Sequence, residues 1–238
     1  MKKILTTCFI LIFPFAGASA DTLGFYVGGG SWNHDPSGTF SSTQSGSSTI
    51  DIKSDLGVSK KSESYVWMAF EHPVPFLPNI RLEKSSLSNT GNTSNIYNFN
   101  GNTTSGNFET TLDSTDAILY YRLLDNWVNL DLGLDVRKID GRFAIGSESS
   151  SVSATVPMLY ASAAFDLPLT GLSVGADYKV VSYSGSTYND MRIRAAYEFG
   201  VVGIEAGVRS TKIKISDVDN INTDLTFKGV MVGAFLHF

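Results

Sequence analysis

One cysteine, three histidines and seven prolines in 238 residues remove several chemistries at the outset. The only thiol, Cys8, lies close to the N-terminus, so everything after it is without disulfide, thiolate nucleophile or cysteine metal site. Basic residues are also scarce. Eighteen Lys and Arg stand against 23 Asp and Glu, a net charge of −5, which excludes the basic footprint of a nucleic-acid binder. Beyond residue 20 no apolar run is long enough for a spanning helix. A chain of this kind crosses a membrane only as a closed barrel, because lipid leaves every unpaired backbone group unsatisfied.

What is present begins with a leader. Lys2 and Lys3 precede the apolar run Ile4–Phe15, and Ala18-Ser19-Ala20 is a small-residue cleavage site. Residues 1–20 are therefore expected to be a signal peptide removed on export. Residues 21–238, starting at Asp21, would form one domain. A chain of about 218 residues suffices for roughly ten membrane-crossing strands with their connections.

The segment Asp224–Phe238 alternates. Val230, Val232, Ala234, Leu236 and Phe238 share one parity; Phe227, Gly229, Met231, Gly233, Phe235 and His237 share the other. Strand side chains point alternately to two faces, so this reads as a strand ending on an aromatic. Nine further segments alternate: Thr22–Trp32, Ser62–Glu71, Asn79–Leu87, Phe108–Leu123, Trp127–Asp140, Ser151–Phe165, Gly171–Ser184, Thr187–Phe199 and Val202–Ile215. The predicted fold is all-β, an antiparallel up-and-down transmembrane barrel of about ten strands, with eight as the alternative count. Connections alternate between compact, such as His72–Pro78, and long stretches rich in Ser, Thr, Asn and Gly: Asn33–Lys61, Ser88–Asn107 and Gly141–Ser150. Short periplasmic turns opposite long external loops are the asymmetry of outer-membrane barrels.

Alternation alone does not say which face is outside. Lys84, Lys138, Lys212, Lys214 and Lys228 share the parity of the aliphatic residues and lie toward the long-loop end. On a membrane barrel they form an outward rim whose stems snorkel past hydrocarbon toward lipopolysaccharide phosphates. The opposite parity then faces the lumen with Glu71, Arg81, Glu83, Arg122, Asp131, Asp135, Arg137, Asp177, Lys179, Arg192, Arg194, Glu198, Glu205 and Arg209. Seven acids and seven bases in a narrow barrel are expected to pair, because an unpaired buried charge is costly. A ring of one sign, the mark of a selective pore, is absent from this set. Phe70, Phe76, Tyr121, Trp127, Phe165, Tyr197, Phe199 and Phe238 gather toward the short turns, as an interfacial girdle would.

Two stretches carry a resemblance. Thr22-Leu-Gly-Phe-Tyr-Val-Gly-Gly-Gly-Ser-Trp32 resembles the glycine-rich first strand of a family of small outer-membrane β-barrel proteins of unknown function. Phe70-Glu-His-Pro-Val-Pro-Phe-Leu-Pro-Asn-Ile80 resembles that family's first periplasmic turn. The resemblance covers the chain from residue 21 on. It implies a Gram-negative outer-membrane barrel and brings no activity or site. Gly233, Leu236 and Phe238 resemble the C-terminal signal read by the barrel-assembly machinery, with Met231 where a polar residue is more usual.

Enzymatic chemistry has one foothold. His34-Asp35, with Asp113 or Asp116, contains the types for an acid–base pair at the outer rim. Asp217–Asp224 has the spacing of acids but neither the glycine nor the closing glutamate of a calcium loop. The reading is a non-enzymatic outer-membrane protein without cofactor or metal, its partners membrane lipid, lipopolysaccharide and, during biogenesis, the assembly machinery. A small porin and an outer-membrane hydrolase remain the alternatives, and the oligomeric state is open.

Overall fold

The computed structural model describes residues 23–99, 101–218 and 220–238; the leader expected at residues 1–20 lies outside them. Eleven strands form one antiparallel sheet: β1 (Gly24–Ser42), β2 (Ile50–Asp51), β3 (Lys61–Glu71), β4 (Asn79–Phe99), β5 (Asn102–Asp125), β6 (Val128–Ile145), β7 (Glu148–Leu167), β8 (Leu172–Tyr183), β9 (Ser186–Phe199), β10 (Val202–Val218) and β11 (Ile221–His237). Each pairs with its chain neighbour, β1 reaches past β2 to β3, and β11 pairs with β1 to close the ring. The barrel has ten strands, β2 being a two-residue addition, and eight is excluded.

The seam is built on small residues. β1 and β11 run side by side from Tyr26↔His237 to Ser42↔Ile221. A Cβ on Gly30 would lie 2.1 Å from the carbonyl oxygen of Val232, and one on Gly28 would lie 2.8 Å from the Trp67 ring. Glycine therefore lets the closing backbone and the Trp67 indole share this space.

The compact turns fall where expected, but the long ones shrink. Ser88–Asn107 is mostly ladder, with β4 and β5 paired to Phe99↔Asn102. Gly141–Ser150 reduces to the two-residue turn Gly146-Ser147. Ser, Thr and Asn signal loops when they occupy both faces. Here they occupy both, with Asn89, Thr93 and Thr104 themselves buried, and it is sparse apolar residues such as Leu87, Phe99, Phe108 and Phe143 on the inward face that anchor the ladder. The strands thus continue well beyond the aliphatic belt.

The first long connection does remain partly irregular, and it serves as wall. β3 rises only to Lys61, opposite His34. Above that level β1 pairs through Thr39 and Phe40 with β2, and the Ile52 amide donates to the Gly38 carbonyl at 3.0 Å. On the far side the Asn92 amide donates to Leu56 at 2.8 Å and the Ser48 amide to Asn98 at 2.9 Å. Residues 48–58 thereby stand in for the missing upper part of β3 between β1 and β4. Ile50, Ile52, Leu56 and Val58 turn into the outer core. Asp51 secures the bend, accepting from the backbone amides of Ser54 at 2.8 Å and Lys53 at 2.9 Å. Those bonds, the Ser54 amide first, hold its carboxyl below the ordinary aspartate range.

Candidate functional site

The outward face of the lower barrel is aliphatic. Leu132, Leu134 and Val136 on β6, Ile204 and Val208 on β10, and Val230 and Val232 on β11 are all exposed. The aromatics Phe70, Phe76, Tyr121, Trp127, Phe165, Tyr197, Phe199 and Phe238 are likewise exposed at the short-turn end. On β6 the outward aliphatics run from Val128 to Val136, about 27 Å of strand. At a tilt near 40° this covers roughly 20 Å of height, comparable to the band of an outer-membrane barrel.

The fourteen ionisable residues assigned to the lumen are all buried or half-buried on the inward parity. The structure joins them through two aspartates outside that set, Asp116 and Asp190. Arg137, fully buried, grips Asp116 with Nε at 2.7 Å and Nη2 at 2.6 Å, and its Nη2 also reaches Asp190 at 3.0 Å. Arg209 clamps Asp190 at 2.9 and 2.6 Å. Lys179 bridges Asp116 at 2.6 Å and Glu83 at 2.5 Å. Glu83 also accepts from Arg81 at 2.6 Å and Arg192 at 2.7 Å, and Arg192 lies 2.9 Å from Asp177. Guanidinium planes rest on rings as well: Arg81 lies 4.2 Å from the centroid of Trp67, Arg137 4.7 Å from that of Tyr188 and Arg209 4.7 Å from that of Trp32.

A second tier sits toward the short turns. Arg122 contacts Glu71 at 2.5 Å and Asp131 at 3.2 Å, and the Tyr120 hydroxyl donates to Glu71 at 2.7 Å. Arg194 makes longer approaches, 3.7 Å to Asp177 and 3.8 Å to Glu205. Glu198 meets His237 at 2.9 Å, and the His237 ring stacks on Tyr26 at 3.9 Å. Glu71, Arg122, Asp131, Arg194, Glu198 and His237 line a cavity of about 530 Å³ open at that end. Asp135 stands apart, fully buried with no hydrogen-bond partner for either carboxylate oxygen.

Asp116 and Asp190 were legible by parity, since Asp190 shares the face of Arg192 and Asp116 that of Arg122. Including them, nine acids face seven bases. Asp190 is shared between two arginines and Asp116 between an arginine and a lysine, while Asp135 is left without a hydrogen-bond partner.

Above this level the interior becomes apolar. The rings of Phe99, Phe108 and Phe143 each lie 5.7 Å from Phe40, beside Ile50, Leu56 and Ile145, all fully buried. The five rim lysines, Lys84, Lys138, Lys212, Lys214 and Lys228, are exposed. Lys84 and Lys138 flank Thr115 in the ladder; Lys138 pairs with Asp140 at 2.9 Å and Lys212 with Asp224 at 3.5 Å.

The histidine-centred constellation does not assemble. His34 is buried between Trp32 and Phe227, with ring centroids at 5.2 and 5.6 Å. Asp35 faces outward and pairs with Lys53 at 2.8 Å. Asp113 accepts from Ser86 on the exterior at 2.5 Å, while Asp116 belongs to the lumen network. Neighbouring positions on a strand face opposite sides, so His34-Asp35 was never one site. At the Asp217–Asp224 stretch the Asp217 amide donates to Asn222 at 2.9 Å, and residue 219 lies outside the described residues. Among the described residues no cluster of His, Asp and Glu has the geometry of a metal site.

A closed antiparallel barrel with a greasy exterior band and an ionised interior is a transmembrane β-barrel of the outer-membrane class. No family model matches the chain, and no curated protein matches it. Solved structures similar to it are outer-membrane and surface proteins. Ail of Yersinia pestis, in complex with the heparin analogue sucrose octasulfate, is 12% identical at a TM-score of 0.43, over 92% of this chain and 100% of that one. Neisserial surface protein A is 12% identical at 0.33, over 90% and 97%. OprG of Pseudomonas aeruginosa is 11% identical at 0.34, over 92% and 97%.

Proposed function

We propose that this protein is a non-enzymatic outer-membrane barrel with a plugged, ion-paired lumen and a basic rim that binds lipopolysaccharide, serving envelope integrity or surface interaction. The observation that carries the reading is the change of outward chemistry along single strands. Lys84 follows Leu82, Lys138 follows Val136, and Lys228 precedes Val230 by two positions, all on the outward face. Lysines at that level meet lipid phosphates while their stems cover hydrocarbon. The phenylalanines around Phe40 stack above the salt-bridged tier, so two unlike barriers stand in series against solute passage. Residues 1–20 would be the export signal, and Gly233, Leu236 and Phe238 would engage the assembly machinery. The glycine-rich strand around Gly28 and Gly30 supports membership of the small-barrel family that the sequence resembles.

The test has two parts. Purified protein in a planar bilayer should be electrically silent, and discrete conductance steps would replace the plug with the small porin. The variant carrying glutamine at all five rim lysines should retain less lipopolysaccharide than wild type, with the difference shrinking in high salt. Equal retention at low salt would remove the rim assignment.

A further inference from the structure

The outer half of the barrel is not closed all the way round. β7 pairs with β6 along its whole length, up to Ile145↔Glu148. Its pairing with β8 begins only at Leu159↔Val180, and the β8–β9 hairpin turns back three residues further on, at Tyr183↔Ser186. Among the described residues, β7 from Glu148 to Met158 has no ladder partner on its β8 side. On its other side the hairpin covers β10 almost to its end: the ladder reaches Thr187↔Lys214, the Ser216 amide donates to Ser186 Oγ at 3.1 Å, and β10 stops at Val218. A slot results, with the edge of β7 as its side and the β8–β9 turn as floor.

The register says which groups face the slot. Ile145 and Glu148 flank the two-residue turn Gly146-Ser147, with Gly146 at φ 55°. The pair flanking such a turn exchanges both ladder hydrogen bonds. Every second residue from Glu148 therefore bonds to β6. The amides and carbonyls of Ser149, Ser151, Ser153 and Thr155 point the other way, into the slot. Pro157 checks the phase: it has no N–H to give and falls on the slot-facing set. It sits just above the last β7–β8 pair and accounts for where that ladder ends.

Four consecutive slot-facing positions, spaced over about 20 Å of extended backbone, make an open edge. Natural sheets usually guard such edges with lysine, proline or a bulge. Here the outward side chains along it are Ser149, Ser151, Ser153 and Thr155, short and uncharged. At the foot of the slot, level with the hairpin, the half-buried Val156, Val181 and Ile215 pack against the core.

We propose that this edge binds an extended polypeptide segment of another protein outside the cell, which adds as a strand alongside β7. The segment would carry apolar residues at alternate positions, facing inward beside Val152 and Ala154 of β7, and polar residues between them. A second copy of this chain does not fit. Both copies insert with the same end outward, and their β7 strands, each tilted about 40°, would cross instead of running alongside. Lipid is disfavoured because Thr155 pairs with Lys138 across the ladder, so the edge starts at the lysine level and rises away from hydrocarbon. The inference rests on the outer half facing outside the cell. Labelling of Ser147→Cys on intact cells by an impermeant maleimide tests that orientation separately.

The test is hydrogen exchange on the full barrel in lipid nanodiscs, with a nine-residue peptide alternating Thr and Val and ending in Lys as probe. Without peptide, the amides of Ser149, Ser151, Ser153 and Thr155 should exchange freely while those of Ser150, Val152, Ala154 and Val156 are protected. With peptide, the first set should slow by about tenfold or more. The double variant Ser151→Pro with Ser153→Pro removes two slot-facing donors and no β6 bond. It should keep its SDS-resistant fold and lose the peptide effect. Protection of the first set before peptide is added would overturn the proposal. So would their failure to slow at millimolar peptide, an undiminished effect in the double variant, or protection by lipopolysaccharide alone. Should the double variant not fold, Val156→Asp, which makes the slot polar, serves in its place with the same expected loss.

Discussion

Up to Val136 the outward face of β6 is Val128, Leu130, Leu132, Leu134 and Val136, and the inward face carries Asp131, Asp135 and Arg137. Beyond it the outward face is Lys138, Asp140 and Arg142, and the inward face is Ile139, Phe143 and Ile145. The strand neither bulges nor changes parity between the two stretches, and its ladder to β7 is continuous. β5 does the same, with Leu119 and Ala117 outward below, Asp113 and Thr111 outward above, and Phe108 inside. One backbone thus runs through two solvents. In lipid the apolar side chains contact acyl tails and charge is gathered inward. In water the outer half reverts to the soluble rule, with apolar residues inside and polar ones outside.

The contrast can be broken from either side. The largest effect is expected from Arg137→Ala, because that guanidinium is shared by Asp116 and Asp190 in the lower lumen. Removing one partner of a buried pair costs about 3–5 kcal/mol. The value should fall near the lower end, since Lys179 still neutralises Asp116 and Arg209 still neutralises Asp190. Urea unfolding in lipid vesicles measures it, and an unchanged midpoint would mean that the network carries no stability. Next comes a matched pair of outward substitutions. Leu134→Arg in the belt should cost about 2–4 kcal/mol. Thr111→Arg on the outward face of the upper half should shift stability by no more than about 0.5 kcal/mol. Equal costs would erase the boundary drawn at Val136.

The smallest effect concerns pH and the wall segment. Asp51 has a folded value below the ordinary 3.8, so its contribution is complete above the unfolded value. It disappears as pH falls through the lowered folded value. Amide exchange at Lys53 and Ser54, corrected for its intrinsic pH dependence, should show less protection in strong acid than at pH 5. Asp51→Asn should show reduced protection at both.

Most of the architecture was legible because a strand states its orientation locally. Parity alone assigns Asp131, Asp135 and Arg137 to one side and Leu132, Leu134 and Val136 to the other, and the prolines of His72–Pro78 mark a turn by removing donors. Parity misleads only when composition is read in its place. Ser88–Asn107 resembles a loop by content, yet Leu87, Phe99 and Phe108 keep the two-residue beat that makes it ladder. The same beat places Asp190 beside Arg192, and it separates His34 from Asp35, which composition had joined.

Which residues share a face, and where along each strand the aliphatic run gives way to lysine, follow from nearest neighbours along the chain, and the amino-acid order alone determines them; the count of ten over eight came with the closed sheet. Which acid meets which base does not. Arg137 finds Asp116 21 positions away and Asp190 53 positions away because of the stagger between strands, a property of closure that no single segment contains. Residues 48–58 standing in for the top of β3, and the bare edge of β7 beside a hairpin that stops short, are likewise decided only by the assembled barrel. Each depends on the relative heights of neighbouring strands, and heights exist only once the sheet has closed.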